Sequence, residues 1–65
     1  MNNLAEGHAR FLTVAEVADL LRVSSMTVYR LIEAGELRAL RVGKSFRIDE
    51  DDLEQFLGSR YTQTG

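Results

Sequence analysis

The sequence predicts a mainly α fold carrying one small β-hairpin, with its elements in the order α-α-β-β-α. Three observations predict it. Apolar residues recur at helical spacing in two short stretches separated by a few residues. A run rich in β-branched, aromatic and arginine residues then flanks Gly43-Lys44. An acidic cluster finally opens a stretch whose apolar residues again share one helical face. Sixty-five residues allow one domain. A core of that size rarely supplies more than roughly 3–5 kcal/mol without help.

Residues 1–10 show little periodicity and read as a flexible leader, closed by Phe11 and Leu12 packing onto the domain. Thr13-Val14-Ala15-Glu16 has the form of a capping box, in which the two polar side chains satisfy each other's free amide groups. Val14, Val17, Ala18 and Leu21 follow on one helical face, with Glu16, Asp19 and Arg22 opposite, so the first helix is expected over 14–22. Val23-Ser24 breaks the pattern. Ser24 or Ser25 then caps a second helix with Val28, Leu31 and Ile32 inward, and Gly35 stands where a left-handed residue would end it. Two short helices joined by a three- to four-residue turn form the helix-turn-helix unit.

Ala39 to Val42 and Ser45 to Ile48 read as the hairpin strands, with two registers open. A two-residue Gly43-Lys44 loop places Arg41 and Phe46 on one face. A three-residue loop through Ser45 gathers Leu40, Val42, Phe46 and Ile48 and leaves Arg41 and Arg47 outside, and this cleaner separation favours the longer loop. Asp49 is expected to cap a last helix, about 50–57, with Leu53, Phe56 and Leu57 inward. Residues 58–65 read as a flexible tail, leaving 11–57 as the domain. A helix-turn-helix followed by a two-stranded wing is a winged helix-turn-helix.

Composition removes several functions. There is no cysteine, hence no disulfide framework, and the single histidine, His8, has no companion ligand near it. Asp49-Glu50-Asp51-Asp52 lacks the alternating ligands and central glycine of a calcium loop, and acids there favour the dipole of a helix start. No metal or other cofactor is therefore expected. No nucleophile–base pair, phosphate-binding glycine loop or carboxylate dyad points to an enzyme, so no catalytic residue is assigned. No apolar run reaches membrane-spanning length and the first residues lack signal-peptide character, which predicts a soluble, cytoplasmic protein.

The formal charge is −2, but it is distributed unevenly. Residues 22–48 carry six bases against Glu33 and Glu36, whereas residues 49–57 carry five acids and no base. A basic middle between acidic flanks leaves a local positive footprint. With Val28, Leu31 and Ile32 inward, the second helix turns Met26, Arg30 and Glu33 outward, with Thr27 and Tyr29 on the shoulders. Ser25, Met26, Thr27, Tyr29 and Arg30 suit entry into a DNA major groove. Arginine grips guanine through two hydrogen bonds, methyl groups touch thymine and tyrosine reaches phosphate. Glu33 opposes such contact unless it lies beyond the groove or pairs with Arg30. Arg38, Arg41, Lys44 and Arg47 add four cations along the hairpin, and Arg41, Lys44 and Arg47 suit the phosphate backbone or the adjacent minor groove. A solvated helix face and a charge-protected strand edge are the non-functional alternatives.

The stretch from Phe11 to Leu57 resembles the excisionase-family helix-turn-helix domain, a small relative of the MerR-type winged helix. The resemblance rests on T-x-x-E-V-A from Thr13, V-S-x-x-T-V-Y-R from Val23, G-E-L from Gly35, R-V-G-K from Arg41 and F-R-I from Phe46. The T-V-Y-R and R-V-G-K segments look particularly like the BldC-like small regulators of actinomycetes. The resemblance implies that the helix beginning near Ser25 reads the major groove and that Arg41, Lys44 and Arg47 belong to the wing. It also implies double-stranded DNA as partner, with copies arranged head-to-tail on direct repeats, and a nucleoid-associated location. Two roles follow from it: a transcriptional regulator, which the BldC-like match favours, or an excisionase that bends attachment-site DNA for an integrase. A protein-interaction module without DNA binding is a third reading, using the Met26–Tyr29 surface or the acidic last helix.

Overall fold

Residues 10–60 are described by the computed structural model, in which short elements follow one another with little intervening chain. Strand β1 (Phe11–Thr13) runs directly into helix α1 (Val14–Leu21), and helix α2 (Ser25–Glu33) follows after three residues. Strands β2 (Leu40–Val42) and β3 (Ser45–Asp49) then form the hairpin, and helix α3 (Glu50–Arg60) closes the fold. The class is the expected one, three helices and a small antiparallel sheet arranged as a winged helix-turn-helix. The sheet, however, has three strands in the order β1-β3-β2.

Thr13 ends β1 and caps α1. Its side chain accepts the Glu16 amide at 3.0 Å, and Glu16 Oε1 accepts the Thr13 amide at 2.8 Å, so the capping box forms as spelled. Helix α1 stops one residue earlier than expected, because Arg22 adopts a left-handed conformation (φ 62, ψ 44). The amide of Val23 reaches back to the carbonyl of Ala18 at 3.0 Å and that of Arg22 to Asp19 at 3.2 Å. This is the Schellman arrangement. The same closure recurs after α2, where Gly35 (φ 79) takes the left-handed place and the amide of Glu36 bonds to Leu31 at 2.9 Å. One closure uses glycine and the other strains an arginine.

The hairpin register corrects the sequence reading. Val42 pairs with Ser45, Arg41 with Phe46 and Leu40 with Arg47, so the loop is the two-residue Gly43-Lys44. Gly43 has φ 61, the conformation that a type II′ turn demands of its first central residue. Segregation of apolar from charged side chains had favoured the longer loop. It loses here because β2 is exposed throughout and has little burial to gain from a change of face. Pairing of Leu12 with Ile48 puts Leu12, Arg41, Phe46 and Ile48 on one face of the sheet. Leu40, Val42 and Arg47 lie on the other.

Strand β1 was not anticipated beyond the packing of Phe11 and Leu12. It pairs antiparallel with β3, Phe11 with Asp49 and Thr13 with Arg47, and the amide of Glu50 donates to the carbonyl of Arg10 at 2.8 Å. Asp49 Oδ1 accepts the Asp51 amide at 2.8 Å and so caps α3, which runs three residues past its expected end. Gly58, Ser59 and Arg60 are thus helical, where a flexible tail from residue 58 was expected. His8, most of the leader and residues 61–65 lie outside the described residues.

Helices α1, α2 and α3, strand β3 and the loop before β2 each contribute a buried residue to the core. Val14, Val17, Ala18, Val28, Leu37, Ile48 and Leu53 are buried, with Leu12, Leu31, Ile32, Phe46, Phe56 and Leu57 packed around them. Full burial of one such aliphatic side chain stabilises by about 1.5–3 kcal/mol, so a core this small depends on each member. No helix among the described residues is long and apolar enough to cross a membrane.

Candidate nucleic-acid interface

Helix α2 owes its length to its ends. Ser24 caps it, accepting the Thr27 amide at 3.2 Å, and no acidic residue occupies its first turn. Val28 is fully buried, and this anchors the opposite face outward. Ser25, Met26, Tyr29, Arg30 and Glu33 are exposed along that face, with Met26 59% and Tyr29 40% accessible. Thr27, expected on the shoulder of this face, also serves the start of the helix. It is half-buried, and its hydroxyl lies 3.1 Å from Ser24 Oγ as part of the cap. Among the described residues the sole ion pair joins Arg60 to Glu36, so Glu33 does not hold Arg30.

The wing cations do not act from one surface. Arg38, Arg41 and Lys44 are exposed, Lys44 at the turn. Arg41 shares its sheet face with Phe46, and its guanidinium carbon sits 5.2 Å from the centre of that ring. Arg47 lies on the opposite face, half-buried, and donates to the carbonyl of Phe46 at 3.1 Å. Phe46 in turn meets Tyr29 of α2, with ring centres 6.1 Å apart and planes inclined at 60°. The structure therefore brings Tyr29 and Arg41 together through Phe46, and it sets Arg47 apart. The favoured longer loop grouped Phe46 with Leu40, Val42 and Ile48; the signal for its contact with Arg41 lay in the alternative two-residue register.

Acidic side chains gather elsewhere. Glu16, Asp19 and Glu50 line a shallow groove with Arg10, Leu12 and Leu20, and Leu20 is 62% exposed despite its place in α1. The run from Asp49 to Asp52 serves the start of α3, where negative charge complements the helix dipole. Among the described residues, no group of three or more histidine, cysteine, aspartate or glutamate side chains is disposed to hold a metal ion.

A capped pair of helices with a three-residue turn, followed by a cationic two-stranded wing, defines a winged helix-turn-helix module. The chain belongs to the helix-turn-helix domain family, whose family model matches residues 11–61. It is 50% identical over 60 residues to a Mycobacterium tuberculosis protein named "Putative DNA-binding protein", covering 92% of this chain and 77% of that one. It is 57% identical over 44 residues to an uncharacterised Bacillus subtilis protein, covering 68% of this chain but 14% of the relative. An uncharacterised Mycobacterium bovis protein is 47% identical over 49 residues, 75% of this chain and 43% of its own length. No solved structure gives a significant match.

Proposed function

We propose that the protein binds double-stranded DNA, laying α2 in the major groove and its wing along the phosphate backbone, and that it acts as a transcriptional regulator. The observation that carries this reading is the pairing of an exposed, acid-free start of α2 with a cationic wing across the Tyr29–Phe46 contact. The description of the Mycobacterium tuberculosis relative supports it. Arg30, exposed and without an ion-pair partner among the described residues, is the base-reading candidate, with Ser25, Met26 and Tyr29 beside it. Arg41 and Lys44 hold phosphates; Arg47 adds to them only if the groove reaches the far face of the wing. The setting is the cytoplasm, on the nucleoid.

A module of this size buries only about 600–1,000 Å² on DNA, so affinity is built by several copies. Head-to-tail association fits the charge layout. The groove lined by Leu12, Glu16, Asp19, Leu20 and Glu50 carries three acids against the single cation Arg10, and the wing is cationic with Leu40 and Val42 exposed.

An electrophoretic shift series at several salt concentrations, with random duplex as competitor, tests the reading across DNA upstream of the gene. A specific, salt-sensitive ladder is expected. Arg30→Ala should cost about 1–3 kcal/mol and relax sequence preference, while Lys44→Ala should weaken binding to all sequences alike. Failure of the protein to bind even random duplex at low salt refutes DNA binding. Strong bending of the bound duplex, with stimulation of an integrase, would replace the regulator by an excisionase.

A further inference from the structure

The main packing of the wing is not on α2. Strand β2 packs on β3; β3 packs on β1, β2, α1 and α3, and α2 packs on α1. Helix α1 packs on both α2 and β3, and between the recognition helix and the cationic strand Phe46 supplies a direct side-chain link. One side of its environment is the Tyr29 ring at 6.1 Å, within the range that tilted aromatic pairs prefer. Another is the Arg41 guanidinium at 5.2 Å, within reach of the negative face of the ring. The two-residue turn makes this possible, since pairing Arg41 directly with Phe46 puts both side chains on one face.

We infer that Phe46 is a positioning residue for DNA binding: it touches no DNA itself, but couples the recognition helix to the wing by holding the tilted Tyr29 ring and the Arg41 guanidinium against one aromatic side chain. The inference rests on the DNA-binding reading above. Arg41 thereby reaches the phosphate backbone already ordered, and the entropy of fixing a long flexible side chain is spent in folding instead of in binding. Tyr29 contributes its ring to this frame while remaining on the exposed face of the recognition helix.

The test is a double-mutant cycle between Phe46→Leu and Arg41→Ala, read by fluorescence anisotropy on a random-sequence duplex at low salt. Phosphate contacts do not need an operator. Phe46→Leu should lower affinity about threefold to tenfold. Arg41→Ala should cost a similar factor in the wild-type protein but less than about twofold beside Phe46→Leu, because the two residues act as a unit. Phe46→Tyr, which keeps the ring, should restore the full cost of Arg41→Ala. Without DNA, the side-chain proton resonances of Arg41 should lose their ring-current shift in Phe46→Leu. If Phe46→Leu does not fold, the same cycle with Tyr29→Leu replaces it, and Tyr29→Phe should leave the coupling intact. Equal costs of Arg41→Ala in both backgrounds, or unmoved Arg41 resonances, overturn the inference while leaving DNA binding standing. A wild-type protein that binds no duplex removes both.

Discussion

Replacing Arg22 by glycine should stabilise the protein, and the structure allows the size of the effect to be worked out. Arg22 closes α1 in the left-handed region, at φ 62 and ψ 44, where its Cβ crowds the backbone. A residue other than glycine gives up about 1–2 kcal/mol there. Glycine removes that penalty but enlarges the conformational freedom of the unfolded chain, which costs about 0.4–1 kcal/mol. The net gain is then about 0.5–1 kcal/mol, or roughly 3–6 °C in the melting temperature of a domain this size. Gly35 holds the same place after α2 and shows that the motif closes with glycine in this protein. Thermal unfolding followed by circular dichroism, at fixed pH and salt, measures the shift. Arg22→Ala is the control, because it loses the same side chain and charge while keeping the Cβ. The expected order of melting temperature is Gly above Arg and Ala. An Arg22→Gly protein no more stable than Arg22→Ala would refute the account, since the gain would then owe nothing to the backbone.

Two further stability predictions follow from the caps and the core. Thr13→Ala removes one half of the capping box and should cost about 0.5–2 kcal/mol in chemical denaturation; Glu16→Gln, which retains an acceptor for the Thr13 amide, should cost less. Leu37, 1% exposed, joins the core from the loop between α2 and β2, so Leu37→Ala should lose about 2–5 kcal/mol. That is comparable with the whole stability of a core this small, and the variant should be largely unfolded by circular dichroism at room temperature.

The helices were legible in the sequence because their ends are spelled by local chemistry. Thr13 and Glu16 stand three residues apart, Ser24 precedes an apolar stripe, Gly35 follows one, and Asp49 precedes the acids of α3. Each of these acts within one turn of chain, and each is found in the described role or next to it. Strand β1 was not legible, since three residues carry no alternation and its partner β3 lies more than thirty residues away. The register was visible as an alternative and was decided by the turn. Leu40 and Val42 stay exposed, so the hydrophobic argument had almost no burial behind it, whereas Gly43 at φ 61 matches the turn that a two-residue loop requires. Thr27 and Arg47 were placed on the correct elements, but what occupies them, a cap hydroxyl and a backbone carbonyl, depends on three-dimensional neighbours.

That register has a consequence for how the protein should respond to salt. Each phosphate neutralised on duplex DNA contributes about −0.9 to the slope of log affinity against log salt. If Arg41, Lys44 and Arg47 all reach phosphate, the wing alone gives a slope near −2.7, about a 40-fold loss between 50 and 200 mM salt. The sheet argues for fewer. Arg41 lies on the face turned toward Tyr29 and the recognition helix, and Lys44 stands at the tip between faces. Arg47 points to the other side and spends a donor on the carbonyl of Phe46. Two contacts give about −1.8, a loss near 12-fold over the same range. The separation is testable by single substitutions on random duplex: Arg41→Ala and Lys44→Ala should each flatten the slope by about 0.9, and Arg47→Ala should leave it unchanged. Equal flattening by all three would mean that the wing enters a groove and is contacted on both faces, as a minor-groove insertion requires. The acidic groove of α1 sharpens the distinction, because Asp19 and Glu50 repel phosphate and leave the α2 and wing side as the approach that long-range electrostatics favours.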